Sequence, residues 1–268
     1  MSLHVDHYPY KGSGSSGTPL LLIHGWGMHG GMWKNVAERL AEHRDVYVVD
    51  LPGHGYSKAV KPRHGRGMGL LDALVDPVTA QFEGPLILCG WSLGGQVSLR
   101  WALRHPQQVE RLVLVASTPC FVRQEDWRCA LSMEIVEDFA ENLRQNYVQT
   151  LKRFLSLQMR GSEQERETLA LLRDALFSRG EPDLTALQNG LDIQRECDLR
   201  SELPQVRQSV LVLSGEHDTL IPAQAGRYLA GNIPNARLVE MQGAAHAPFL
   251  SHPDLFVEYL KQFLNGTI

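Results

Sequence analysis

The 268-residue chain has only four cysteines, Cys89, Cys120, Cys129 and Cys197. None lies at a metal-binding or redox spacing, so free thiols in a reducing compartment are expected, with Cys89 as a small core residue. No apolar run approaches the length of a membrane span, so no membrane partner is expected. The first residues, Met1-Ser2-Leu3-His4-Val5-Asp6, lack a basic region followed by an apolar core. No secretory signal is read there, and a cytoplasmic location is expected. Positive charge is not in excess: the formal net charge of −4 gives no ground for nucleic-acid binding. The eleven histidines include no His-Glu-x-x-His or similar ligand spacing, so neither a metal nor another cofactor is expected. There is no internal repeat and no low-complexity tract.

What is present is alternation of short apolar runs with helix-compatible stretches. Leu20–Ile23, Val46–Asp50, the run from Leu86, Leu112–Ala116, Val210–Leu213 and Arg237–Met241 read as strands, the first three as strands buried on both faces. Leu3–Tyr10 alternates weakly and is assigned to an edge strand. Met32–His43, Leu70–Phe82 with a candidate kink at Pro77, Gln96–Arg104 and Pro253–Leu264 read as helices. Residues 58–67 are basic and glycine-rich and are read as a mobile loop. From about Pro119 to Pro204 the strand-like runs stop. Apolar residues then recur three and four apart (Ile135, Phe139, Leu143, Tyr147; Leu151, Phe154, Leu155; Leu169, Leu172, Leu176), which predicts about four helices. The expectation is an α/β fold, a mostly parallel sheet covered on both faces, with a helical lid (119–203) inserted into a core formed by 1–118 and 204–268.

The most informative stretch is Leu86-Ile87-Leu88-Cys89-Gly90-Trp91-Ser92-Leu93-Gly94-Gly95. An apolar strand runs into Gly-x-Ser-x-Gly, and a helix comes after it. A serine in that context occupies a tight strand-to-helix turn that lifts its hydroxyl above the sheet, at a helix N-terminus. This is the nucleophile elbow of an α/β-hydrolase fold.

A serine hydroxyl needs a base, and the base needs an acid to hold its tautomer. In this fold the chain order is Ser, acid, His. Asp218 lies in a turn just past the strand Val210–Leu213, with Glu216 as a rival. His246 lies in the small-residue loop Gly243–Phe249 after the last strand, with His252 as a weaker alternative. The backbone N–H groups of Trp26, in His24-Gly25-Trp26-Gly27, and of Leu93 are the candidate oxyanion donors. The His24 side chain is read as a brace for that loop, and Trp26 and Trp91 as pocket walls or core. Gly25-Trp26-Gly27-Met28-His29-Gly30 also fits a dinucleotide-binding spacing, but the elbow accounts for the same glycines better. A non-catalytic binding protein on this fold would not need the complete Ser, Asp and His.

Between Arg144 and Arg179 the basic residues Arg144, Lys152, Arg153, Arg160, Arg166, Arg173 and Arg179 outnumber the acids. Two readings stand: an ordinary solvated face, or a docking patch for an acidic macromolecule that delivers the substrate.

Taken together, the chain resembles the pimeloyl-acyl carrier protein methyl ester esterases of biotin synthesis over nearly its whole length. The resemblance is carried by Gly90-Trp91-Ser92-Leu93-Gly94-Gly95, His24-Gly25-Trp26-Gly27, Ala116–Phe121 with Trp127, Arg153–Gln158, Asn189–Ile193 with Asp198-Leu199-Arg200, and Ala245–Pro253. It implies a serine carboxylesterase without cofactor, with Ser92, Asp218 and His246 catalytic. It implies substrate contacts at Trp26, Ser92, Leu93, His246 and the segment Phe154, Leu155, Ser156, Leu157 and Gln158. It also implies an acyl carrier protein as partner, met by Arg153 and Arg166. A monomer is expected. Lys58–Gly69 departs from the family's pattern, and Gln149 and Ala170 stand where arginines would be expected. Without the carrier, the alternative is a general short-chain esterase or another lid-bearing hydrolase, such as a carbon–carbon bond hydrolase.

Overall fold

A computed structural model describes residues 3–58 and 66–268; the stretch 59–65, inside the expected basic loop, lies outside the described residues. Seven strands, β1 (Val5–Tyr8), β2 (Leu20–Ile23), β3 (Val46–Val49), β4 (Leu86–Trp91), β5 (Val109–Val115), β6 (Ser209–Gly215) and β7 (Ala236–Met241), form one sheet in the order β1-β3-β2-β4-β5-β6-β7. Among the described strands only β1 runs antiparallel, paired with β3 from Val5 opposite Val49 to Tyr8 opposite Val46. The other pairings are parallel. All of β2 and all of β4 is buried, as continuous apolar runs require when helices cover both faces. Each wholly buried leucine or isoleucine of β2 contributes about 2 kcal/mol by leaving water.

The helices of the core are α1 (Lys34–Leu40), α2 (Met68–Thr79) and α3 (Leu93–Arg104). The expected helix from Met32 is shorter, because Gly30–Trp33 winds as a 3-10 turn capped by His29. The helix expected from Gln96 begins three residues earlier, immediately after Ser92. Between β5 and β6 lie α4 (Met133–Met159), α5 (Glu165–Ala175) and α6 (Leu184–Glu196). α4 is broken at Asn146, whose φ of −154° and ψ of 83° are not helical, so four helical segments arise from three assigned helices. Ahead of them, Cys120 to Leu131 folds on isolated bridges, Val122 with Leu131 and Gln124 with Trp127, which no periodicity announced. After β6 come α7 (Ala223–Asn232), the short α8 (Pro248–Ser251) and α9 (Pro253–Leu264). No helix among the described residues is long and apolar enough to cross a membrane.

Strand order reverses around β2, since β3 lies on one side of it and β4 on the other. In open parallel sheets the crevice outside such a reversal is where ligands bind. The loops leaving the carboxyl ends of β2 and β4 carry His24-Gly25-Trp26 and Ser92.

A charge cluster ties the inserted helices to this edge. Asp50, at the end of β3, is wholly buried and accepts from the N–H groups of Gly30 (2.6 Å) and Tyr56 (2.9 Å). Arg179, just after α5, reaches Asp50 at 3.2 Å and Asp6 at 2.5 Å, with its guanidinium over the Tyr56 ring. Arg179 is therefore a structural cation and not part of an exposed basic patch. Arg144, paired with Glu141 at 2.9 Å, is likewise engaged. Removing Arg179 leaves the Asp50 carboxylate buried without its cation. Arg179→Met is expected to lower unfolding free energy by about 3 kcal/mol, read as a urea midpoint shift; a loss no larger than that of an exposed arginine contradicts this role.

Candidate active site

Ser92 stands between β4 and α3 with φ 55° and ψ −117°, one of two non-glycine residues with positive φ among those described. A side chain held there costs about 1–3 kcal/mol and persists only where its surroundings dictate it. They do so here. The Ser92 N–H donates to Val115 O at 2.9 Å, and the Ser92 carbonyl accepts from the Ser117 hydroxyl at 2.8 Å. A side chain at Gly90 would collide with the Gly94 carbonyl, and one at Gly94 would fall 2.5 Å from the Ile23 carbonyl oxygen. The two glycines let β4 double back into α3 and press the first turn of α3 against the end of β2.

The same close packing brings the β2 loop to the serine. A Cβ at Gly25 would lie 3.2 Å from Ser92 Cβ. The N–H groups of Trp26 and Leu93 make no hydrogen bond among the described residues, which leaves both as donors beside Ser92. His24 braces this loop as expected. Its Nε2 accepts from the Leu51 N–H at 2.9 Å, so its Nδ1 carries the proton and donates to Gly25 O at 2.8 Å. Burial, with His54 beside it, pushes the His24 imidazole down to about 3. Burial lowers His54 and His29 too. All three rings are neutral at pH 7.

Asp218 and His246 meet. Nδ1 of His246 is 2.8 Å from Asp218 Oδ2, and both residues are buried. The other oxygen of Asp218 accepts from the N–H groups of Leu220 and Ile221, each at 2.9 Å, so the carboxylate cannot swing away. A carboxylate accepts, so Nδ1 donates and Nε2 is free to take a proton. Glu216 instead accepts from the Gly243 N–H, and His252 bonds Ser251; neither rival joins the pair. The β7 loop reaches the elbow by crossing β6 at Gly215, where any side chain would strike the Ala245 carbonyl. The Ser92 hydroxyl makes no hydrogen bond among the described residues, to His246 or to any other side chain.

Two anchors of His246 were not read from sequence. Its carbonyl accepts from the Trp91 indole N–H at 2.7 Å, and its N–H donates to Gln158 O at 3.0 Å. Trp26 donates its indole N–H to Leu187 O of α6 at 2.8 Å, and Phe154 meets the Trp26 ring edge-on at 5.0 Å. Leu155 and Gln158 are buried, and Phe154, Ser156 and Leu157 are half-buried. Both side-chain amide atoms of Gln158 lack a partner. Arg153 and Arg166 are distant from this centre in role: both are exposed, and neither makes an ion pair among the described residues.

Residues 18–253 match the alpha/beta hydrolase fold family. A pimeloyl-(acyl-carrier protein) methyl ester esterase of Nitrosomonas europaea is 43% identical over 257 residues, covering 96% of this chain and 97% of that protein. One of Chromobacterium violaceum is 43% identical over 249 residues, covering 93% and 95%. Among solved structures, the enol-lactonase of Burkholderia xenovorans superposes with a TM-score of 0.83 at 25% identity, covering 98% of this chain and 96% of that one.

The buried histidines set an acid limit. Their folded pKa values lie below the unfolded value near 6.5, so the unfolded chain takes up protons first. Their stabilising neutrality is complete above about pH 6.5 and is lost as pH falls below it, for His24 down to about pH 3, at up to about 1.4 kcal/mol per pH unit for each ring. Urea unfolding at pH 7, 6 and 5 is expected to show this decline, with a shallower slope in His54→Gln. Equal slopes in the two proteins contradict it.

Proposed function

The chain belongs to the alpha/beta hydrolase fold family and, within it, to the pimeloyl-acyl carrier protein methyl ester esterases, and on that premise we propose how its residues perform the reaction. The chain hydrolyses the methyl ester of pimeloyl-acyl carrier protein to the free carboxylate and methanol, a step of biotin synthesis. The observation that carries the mechanism is the 2.8 Å bond between Asp218 and His246, brought together over 28 residues, with the His246 carbonyl tied to the indole of Trp91, the residue before a serine held at positive φ.

Ser92 Oγ attacks the ester carbonyl while its proton passes to Nε2 of His246. Asp218 holds the ring and stabilises the imidazolium. The carbonyl oxygen becomes an oxyanion, met by the free N–H groups of Trp26 and Leu93; one such donor contributes about 3 kcal/mol to the transition state. Methoxide leaves with the proton from His246, as methanol. Water then gives a proton to His246 and attacks the acyl-enzyme, Ser92 Oγ regains the proton, and the carboxylate departs. The apolar segment Phe154–Leu157 suits the methylene chain, and the unpartnered Gln158 amide offers a donor and an acceptor to the substrate.

The ester is remote from the thioester, so selectivity requires that the carrier stay outside. Arg153 and Arg166, with Lys152, Arg160 and Arg173, are exposed cations without ion pairs among the described residues. They form the docking face for the acidic carrier, and Arg144 and Arg179 do not belong to it.

Ser92→Ala is expected to lower kcat on the carrier-bound ester by at least about 10⁴-fold. Arg153→Glu with Arg166→Glu should lower kcat/KM about tenfold on that substrate but spare a short nitrophenyl ester. Retained activity in the serine variant contradicts the mechanism, and equal loss on both substrates contradicts carrier docking.

A further inference from the structure

Trp91 does more than its place in the core requires. It is the last residue of β4, directly before Ser92, and it is buried. Its backbone therefore aims the nucleophile, while its side chain reaches the β7 loop. The indole N–H donates to the His246 carbonyl at 2.7 Å, across 155 residues of sequence. Packing alone does not demand that bond. Trp33 is also buried and stacks on Phe249 at 4.0 Å, yet its indole N–H has no hydrogen-bond partner among the described residues.

Three hydrogen bonds fix His246. Its N–H donates to Gln158 O at 3.0 Å, its carbonyl accepts from Trp91, and its Nδ1 donates to Asp218 Oδ2 at 2.8 Å. Asp218 holds one corner of the ring. The backbone pair holds the point from which the ring hangs, and so sets where Nε2 stands over the elbow. The Trp91 indole is itself confined. Phe249, three residues beyond His246, meets it edge-on at 5.0 Å, and the His246 ring lies 5.6 Å from it, centroid to centroid. On the side of the β2 loop, a Cβ at Gly25 would lie 3.3 Å from Trp91 Cε3. One ring thus packs against the loop that carries Trp26 and the loop that carries His246.

We propose that Trp91 is a positioning residue of the hydrolysis: its indole N–H sets the His246 backbone relative to Ser92, so that the base is in place before substrate arrives. Proton transfer needs the two heavy atoms within about 2.6–3.2 Å of each other. A base misplaced by about 1 Å leaves that range and can cost rate on the order of 100-fold. Trp91 acts here through His246 and not on the ester itself. The inference rests on the serine mechanism of the proposed function and deepens it.

The test compares Trp91→Phe with Trp33→Phe, which removes an indole from the same aromatic cluster but no hydrogen bond. For each, kcat and KM on a short nitrophenyl ester and the rate of Ser92 labelling by a fluorophosphonate are measured beside the urea midpoint. Both variants should lose stability. Only Trp91→Phe should lose kcat, about tenfold or more, with KM within about twofold of wild type and labelling slowed in proportion. Placing 3-benzothienylalanine at position 91, which keeps the ring shape and puts sulfur where the N–H stands, should reproduce the loss of kcat without the change in volume. An unchanged kcat in the benzothienyl protein overturns the proposal, as does an equal fall in Trp33→Phe or a loss confined to KM. A wild type whose Ser92 is not labelled refutes the mechanism on which the inference rests.

Discussion

The structure depends on one strained backbone position. Ser92 is held at φ 55° because the carboxyl end of β4, the first turn of α3 and the end of β2 are packed too closely for any other path. That strain is met by hydrogen bonds at both backbone groups of the serine, its N–H donating to Val115 O of β5 and its carbonyl accepting from the Ser117 hydroxyl just beyond it. The consequence is geometric. The serine stands next to the free N–H groups of Leu93 and Trp26, which in the proposed mechanism meet the developing negative charge without reorganisation.

The inserted helices do more than cover this corner. Buried hydrogen bonds run from two loops at the candidate site into them: the Trp26 indole N–H to Leu187 O, and the His246 N–H to Gln158 O. The loop that carries Trp26 and the loop that carries His246 are thus fastened to the inserted helices, to α6 and α4 respectively. A third tie, Arg179 with Asp50 and Asp6, fixes the end of α5 to the outer strands. Any large displacement of these helices would break the hydrogen bonds that fasten both loops.

Much of this was legible because it is periodic or obeys a local motif. Continuous apolar runs specify strands buried on both faces, and Gly-x-Ser-x-Gly between a strand and a helix specifies the elbow before any coordinate is known. The order Ser, acid, His singles out Asp218 and His246, and the structure brings those two together. Other features depend on side chains that meet only after folding. Arg179 has the composition of a surface cation, yet its partners come from β1 and the end of β3. Trp91 reads as pocket wall or core, and its indole N–H finds the His246 carbonyl only because the β7 loop crosses Gly215. The break at Asn146 was hidden because both halves of α4 keep helical spacing, and a single residue leaving the helix does not interrupt an apolar pattern.

The central claim is that Ser92 becomes a nucleophile through His246. The most direct measurement is mass-spectrometric mapping of the intact chain after reaction with a fluorophosphonate. One adduct per chain on Ser92, forming far more slowly in His246→Ala with the fold retained, is the result this account predicts. Labelling at another residue, or labelling of Ser92 at an undiminished rate without the imidazole, would contradict it.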